Sequence, residues 1–350
     1  MSGKRAPHHP DQTHHRKKQS DDPIPMYASL DLHKVYSQAV VMEKDGTVGR
    51  EERIENSREN MERFSDDLPQ GTEVVIESSS TWYWVYQILS QRHHVVLSNP
   101  LKTKAIASAK LKTDRVDALT LANLLRGGYI AESYIPTQKT MELRELVRYR
   151  ANLVRMRTNV KNRIHGYLLM NNVRIDAKPF SQGFVGEIRK IDDLKVQGYL
   201  RLVESINREV HEASRAISKE AADDAGARLL MTIPGVSFYS ALLITSEIGD
   251  VSRFQDSDSL VAYAGLVPST HSSGGTTYHG RITKTGSPYL RWILGQCTRI
   301  NIRNEPDGRL ALFYDRLARK KGSQKAIVAA TAKLLRIIYW MLREGEPYHG

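Results

Sequence analysis

A single cysteine, Cys297, stands in this chain of 350 residues, so no disulfide can form within it. That usage fits a reducing compartment. Long apolar runs are missing as well. None approaches the ~18 residues that a membrane span requires. The first 25 residues are polar and basic and hold no apolar signal core, so secretion is not expected and the cytosol or nucleoid is. Acid is in short supply: 39 Asp and Glu face 51 Lys and Arg, a formal net charge of +12. An excess of that size favours a polyanionic partner, and nucleic acid is the default candidate. A hydrophobic fraction of 40% and a charged fraction of 26% are those of a globular chain of two or three domains.

Against that basic background, four carboxylates in the first third stand out. Asp31 interrupts the apolar run Tyr27-Ala28-Ser29-Leu30-Asp31-Leu32, and Glu77 ends the run Glu73-Val74-Val75-Ile76-Glu77. Asp114 and Asp117, three apart in the opening turns of a predicted helix, share one face. Hard cations such as Mg²⁺ take oxygen ligands and keep positions for phosphate and water. Two such ions about 3.5–4 Å apart clamp the attacking and leaving oxygens of a phosphodiester. Taken singly, each acid also reads as a strand acid, a strand end, a helix cap or a solvated charge. Taken together they suggest a metal site, because an acid inside the first run is costly unless it is paired or liganded.

Residues 1–25, rich in His, Lys, Arg, Pro and Asp, are expected to be disordered, with His8, His9, His14 and His15 in a solvated tail. From Tyr27 the pattern predicts strands at Tyr27 to Leu32, Gln38 to Met42 and Thr47 to Ile54, the last two joined at Asp45-Gly46. A helix over Ser57 to Leu68, a strand at Glu73 to Ile76, a helix over Trp82 to Ser90, a strand at His94 to Leu97 and helices from Leu101 to Leu125 follow. A meander followed by alternating helix and strand makes an α/β domain with a mixed sheet, in the order of a ribonuclease H-like fold.

Beyond Thr140 the chain turns helical. One helix carries an apolar stripe through Leu143, Leu146, Val147, Leu153, Val154, Val160, Ile164 and Leu168, with Arg144, Arg148 and Arg155 on the opposite side as candidate phosphate contacts or plain solvated charges. Arg150, Arg157 and Lys161 fall on the apolar side, which hints at an intermolecular or nucleic-acid seam. The segment around Lys178 to Gly186 reads as a loop, and a second helix, roughly Leu194 to Glu220, is expected to return antiparallel. Pro234-Gly235 between helical patterns resembles a helix-hairpin-helix unit whose second helix offers free N–H groups to a phosphate, or a plain helical corner. Ser272-Ser273-Gly274-Gly275, beside Arg281, Lys284 and Arg291, reads either as a turn or as a nucleophilic or phosphate-binding loop.

The set Leu30-Asp31-Leu32-His33-Lys34, Val75-Ile76-Glu77, Lys112-Thr113-Asp114-Arg115-Val116-Asp117-Ala118, Ile233-Pro234-Gly235 and the block from Gly265-Leu266-Val267-Pro268 to Leu290-Arg291 resembles one family, the DEDD transposases of bacterial insertion sequences. The resemblance runs from about residue 26 to 345 with its motifs in order. It implies a RuvC-like domain over 26–136 behind the tail 1–25, a long helical, coiled-coil-like middle over 137–224, and a helical carboxy-terminal transposase domain over 225–345.

By that resemblance, Asp31, Glu77, Asp114 and Asp117 hold Mg²⁺ or Mn²⁺, and Ser273 is the nucleophile of a covalent phosphoserine link to DNA, with Ser272 as its rival. Lys112, Lys284 and Arg291 join the candidate nucleic-acid contacts. Donor and target DNA, a structured guide (bridge) RNA and further copies of the chain in a dimer or tetramer are the implied partners, with no membrane. One departure is local: where the family often follows its second acid with Ala-Thr-Gly, this chain has Ser78-Ser79-Ser80-Thr81-Trp82. Two other classes stand beside it. A structure-selective nuclease keeps the acids and drops the serine, cutting with metal-activated water, and a non-enzymatic DNA-binding scaffold uses the hairpin unit and the basic helices while the acids are vestigial.

Overall fold

The computed structural model describes residues 26–100, 102–103, 113–273 and 276–349, with the backbone alone over 270–273 and 276–279. The predicted tail 1–25 and Lys112 lie outside the described residues. The chain divides into two compact units, Met1–Ile135 and Pro136–Gly350.

In the first unit, β1 (Tyr27–Leu32), β2 (Tyr36–Met42) and β3 (Val48–Glu55) form an antiparallel meander, turned between β2 and β3 at Gly46, whose φ is +96°. After α1 (Arg58–Asp67), β4 (Glu73–Glu77) pairs parallel with β1. Then β5 (His94–Ser98), reached through α2 (Trp82–Leu89), pairs parallel with β4, which gives the order β3-β2-β1-β4-β5. The mixed α/β sheet read from the sequence is therefore present, with bounds shifted by a residue or two.

Strand alternation builds two faces. Ala28, Leu30 and Leu32 with Val74 and Ile76 pack among Met61 and Phe64 of α1 and Val85 and Leu89 of α2. The opposite face, with Val40, Met42, Val75 and Val96, is covered by Ala118, Leu121, Ala122 and Leu125 of α3 (Asp114–Arg126). Ser29, on that face of β1, donates to the Ala118 carbonyl at 2.7 Å and ties the helix down. Thr113 starts α3 as a true N-cap, its Oγ1 accepting from Val116 N at 3.2 Å.

The second unit is mainly helical. α4 (Gln138–Met170) and α6 (Leu194–Asp223) lie antiparallel, as the pairs Lys139–Glu220, Arg150–Ser214 and Arg157–Asn207 show. The predicted return helix is thus observed, and its partner runs longer than its stripe suggested. Between them α5 (Gln182–Arg189), read from sequence as loop, buries Phe184 and Ile188 in a cluster with Ile164, Leu168, Val196 and Leu200.

The other end of the helix pair packs into a larger core around α7 (Ala225–Leu230) and α8 (Phe238–Ile248), followed by α9 (Ser257–Tyr263). A two-stranded hairpin of β6 (Pro268–Ser273) and β7 (Thr276–Ile282) replaces the loop expected around the Ser-Ser-Gly-Gly run. The helices α10 (Pro288–Asn304), α11 (Arg309–Lys321) and α12 (Ser323–Glu344) complete the unit. The chain entering β6 crosses the chain leaving β7 backbone to backbone. Gly265 (φ +68°) and Gly286 (φ +72°) make that crossing, and a Cβ on Gly286 would overlap the Tyr263 carbonyl oxygen.

Candidate active site

The acids of the first unit converge at the carboxy-terminal ends of β1 and β4. Leu30 is in register with Ile76 on the two parallel strands, so Asp31 and Glu77 are the next positions along each and leave the sheet on one face. It is the face that α3 covers, with Asp114 and Asp117 in the first turn of that helix. Asp31 is only 6% exposed. Its carboxyl is pushed up from the ordinary range first by burial and then by the charges of Asp117 and Asp114, with His33 pulling the other way. Sequence reading named all four acids. The structure brings Asp31, Asp114 and Asp117 into electrostatic range and sets Glu77 beside Asp31 by register.

Two residues that sequence reading gave no role complete the cluster. The turn after β1 places His33 Nε2 at 3.3 Å from Asp31 Oδ2 and 3.3 Å from Asp114 Oδ2. Ligand atoms of Asp31, His33 and Asp114 all lie within 4.8 Å of one another. His33 Nε2 is buried yet makes no hydrogen bond. Tyr36, the first residue of β2, donates its hydroxyl to Asp114 Oδ2 at 2.7 Å. That bond draws the Asp114 carboxyl below its ordinary value and lifts the Tyr36 hydroxyl above its own. The His33 carbonyl accepts from Asn56 Nδ2 at 2.7 Å and from Thr81 Oγ1 at 3.5 Å, so the departure after Glu77 lies against this turn.

A concentration of negative charge in which one carboxyl is buried and held up by its neighbours, beside an orphaned imidazole nitrogen, suits a cation. The donors are mostly carboxylate oxygens, the chemistry of Mg²⁺ or Mn²⁺. The residues present fit such an ion.

In the second unit the backbone places Ser272 and Ser273 at the end of β6, opposite Thr277 and Thr276, and both side chains lie outside the described residues. Three arginines read as candidate phosphate contacts, Arg144, Arg148 and Arg291, are engaged within the unit. Arg144 donates to the carbonyls of Ser246 and Glu247 at 2.7 and 3.0 Å, and Arg148 forms a two-pronged pair with the Glu247 carboxylate at 2.7 and 2.8 Å. Arg291 Nη1 donates to the carbonyls of Ala264, Thr285 and Gly286 at 3.1, 2.6 and 3.1 Å, stapling the glycine crossing.

Arg155 stays exposed, with one bond to Asn152 at 3.1 Å, and Lys284 is exposed at a φ of +55°. The seam inferred from Arg150, Arg157 and Lys161 is internal. They meet Ser214, Asn207 and the Phe180 ring. At the helix-hairpin-helix turn, Asn301 Nδ2 caps the Pro234 carbonyl at 3.1 Å and Ser240 Oγ accepts from Ser237 N at 2.7 Å, so part of the presumed phosphate seat is filled from within.

Two family models divide most of this chain between them. The DEDD transposase model of IS110 matches residues 28–171, the stretch holding the acid cluster, and the model for "Transposase IS116/IS110/IS902 family" matches residues 227–314, the stretch holding the serine hairpin. The chain belongs to the IS110-type transposase family. The transposase for insertion sequence element IS1328 of Yersinia enterocolitica is 26% identical over 331 residues, covering 91% of this chain and 97% of the relative. The transposase for element IS1111A of Coxiella burnetii is 26% identical over 282 residues, 76% of each chain. A pilin gene-inverting protein of Moraxella bovis is 27% identical over 286 residues, covering 79% of this chain and 81% of its own. An IS110-type transposase acts on DNA, cutting and recombining it. Among the described residues, no helix of this transposase is long and apolar enough to cross a membrane.

Proposed function

We propose that this transposase cuts and rejoins DNA by transesterification, with Asp31, Glu77, Asp114 and Asp117 holding divalent metal and Ser273 as the nucleophile. The observation that carries the reading is the convergence of Asp31, His33 and Asp114 within 4.8 Å, with Asp117 in electrostatic range. The sheet order β3-β2-β1-β4-β5, with acids at the ends of β1 and β4 and at the start of a helix across that face, supports the ribonuclease H-like assignment.

A divalent ion bound there supplies a Lewis acid and a template for phosphodiester oxygens. Asp31 is buried on the sheet and gives a fixed oxygen. Tyr36 fixes the orientation of Asp114. Ser273, at the end of β6 and next to two glycines in sequence, attacks the phosphorus through Oγ. One P–O ester bond forms to serine and one breaks, and the released strand end takes a proton to become a hydroxyl. Attack by a second strand's hydroxyl on the phosphoserine reverses the exchange and returns Oγ, so strand joining needs no ATP. In this reading the acids and the serine come from different protomers of a dimer or tetramer, and a structured RNA helps to choose the DNA.

The test is to trap a protein–DNA adduct on a labelled element-end substrate, resolve it on denaturing gels and map the modified residue. The adduct should map to Ser273, vanish in Ser273→Ala and in Asp31→Ala, and persist in Ser272→Ala. Cleavage by Ser273→Ala without any adduct would replace the reading with a metal-dependent nuclease.

A further inference from the structure

One stretch of the second unit is strongly basic. Residues 281–333 hold twelve Lys or Arg against three Asp or Glu. Within that stretch, facing sides of α10 and α12 enclose a groove made of two adjoining cavities of about 370 and 270 Å³ that share Arg299 and Ile327. Helical spacing builds it. Trp292, Gln296 and Arg299 line one face of α10, while Gln324, Ile327 and Thr331 line the opposing face of α12. Gly295 lies between the first two and adds no side chain to the wall.

An aromatic ring stands at each end. Trp292 is 45% exposed at one, and Tyr314 lines the second cavity at the other. Among the described residues, no carboxylate lines either cavity. Two of the lining cations are open to a ligand. Arg299 is exposed and donates through Nη1 to the Gly295 carbonyl of its own helix at 3.1 Å. Lys284 is exposed, in the left-handed backbone region that a lysine seldom adopts, with its N–H anchored on the Gly265 carbonyl at 3.1 Å. Arg291 also lines the groove, but its three carbonyl bonds make it wall.

Exposed aromatic faces beside unpaired cations are what single-stranded nucleic acid needs, since every base has a face to stack and every link a phosphate to neutralise. A duplex hides those faces in its stack. We propose that the α10–α12 groove seats an unpaired DNA strand, with one base stacked on Trp292 and flanking phosphates drawn to Arg299 and Lys284. DNA is the strand because DNA is what this family acts on. The inference depends on that alone and not on the metal or on Ser273.

Binding is therefore measured on the full chain in EDTA, by fluorescence anisotropy with a labelled 12-nucleotide DNA strand, the matching duplex and an RNA strand of the same sequence. Trp292→Ala should weaken single-strand binding about tenfold and change duplex binding less than about twofold, while Trp292→Phe keeps most of the affinity. Arg299→Ala should flatten the single-strand salt dependence by about 0.7 in log–log slope. Gln296→Glu places a negative charge in the groove without removing an aromatic, and should reproduce the loss even if Trp292→Ala folds poorly. The proposal is overturned if well-folded Trp292→Ala and Gln296→Glu both bind the single strand as the parent does. It is also overturned if duplex binding falls equally, or if RNA binds several-fold tighter than DNA.

Discussion

The hydroxyl of Tyr36 donates to Oδ2 of Asp114 at 2.7 Å, joining the start of β2 to the start of α3 across 78 residues of sequence. Oδ2 is also the atom 3.3 Å from His33 Nε2, so Tyr36 fixes the carboxylate at the point where the cluster converges. The ring is itself held, with the Arg53 guanidinium 3.5 Å from its centroid and the His33 ring at 4.8 Å. Partners of this kind orient ligands, and losing one commonly lowers metal affinity about 10–100-fold. Asp114 has a side chain 45% exposed, which favours the lower end. Tyr36→Phe is expected to weaken Mn²⁺ binding about tenfold by calorimetry on the DNA-free protein and to leave the fold intact. An unchanged isotherm would show that Asp114 needs no such support.

Asp31 carries an expected conflict between folding and metal binding. Its carboxyl is raised from the ordinary value of 3.8 by burial first and by Asp117 and Asp114 after that. A raised value in the folded state means that the native chain holds the proton more tightly than the unfolded one. The stability it contributes is full below pH ~3.8 and is lost as pH climbs through the raised value. In the metal-free protein, deprotonating Asp31 therefore costs stability, which His33 offsets only in part. Asp31→Asn should slow amide exchange in β1 and β4 at pH 7 in EDTA, with the gain shrinking as pH is lowered towards 4. Adding Mn²⁺ should protect these strands in the parent and not in the variant. Faster exchange in metal-free Asp31→Asn would contradict the sign.

How much of this could be read from the chain depends on whether the signal is local. The alternation of Ala28, Leu30 and Leu32 around Ser29 and Asp31, and the start signal Thr113-Asp114, are written in consecutive residues, and the sheet and α3 follow them closely. Tyr36 left no such mark. Its partner is set by how β2 lies under α3, and nothing near Tyr36 in sequence points to Asp114. His33 was visible in Leu30-Asp31-Leu32-His33-Lys34, but only the turn after β1 brings its Nε2 between two acids. The strand Pro268–Ser273 is polar throughout and lacks the apolar alternation that marks a strand, so it reads as turn. α5 was missed because an eight-residue helix gives one turn pair, Phe184 and Ile188, and little more periodicity.

The partners of Arg144 and Arg148 in α4 were not legible for a different reason. A helical wheel of α4 assigns one buried stripe, but this helix packs against α6 on one side and meets the end of α8 on another. A usable signal lay elsewhere, in Glu247. An acid in the apolar helix Phe238–Ile248 needs a cation, and its side chain is 1% exposed. Removing one partner of a buried pair costs about 3–5 kcal/mol, because the other charge is stranded. Arg148 is 39% exposed, so water screens part of that loss. Arg148→Ala is expected to destabilise the helical unit by about 3 kcal/mol, read from urea unfolding followed at 222 nm, and Arg148→Met with Glu247→Leu should recover much of it. The salt dependence of DNA binding should keep its slope in the double variant. A slope lower by about 0.9 per lost phosphate contact, with stability unchanged, would return Arg148 to the DNA surface.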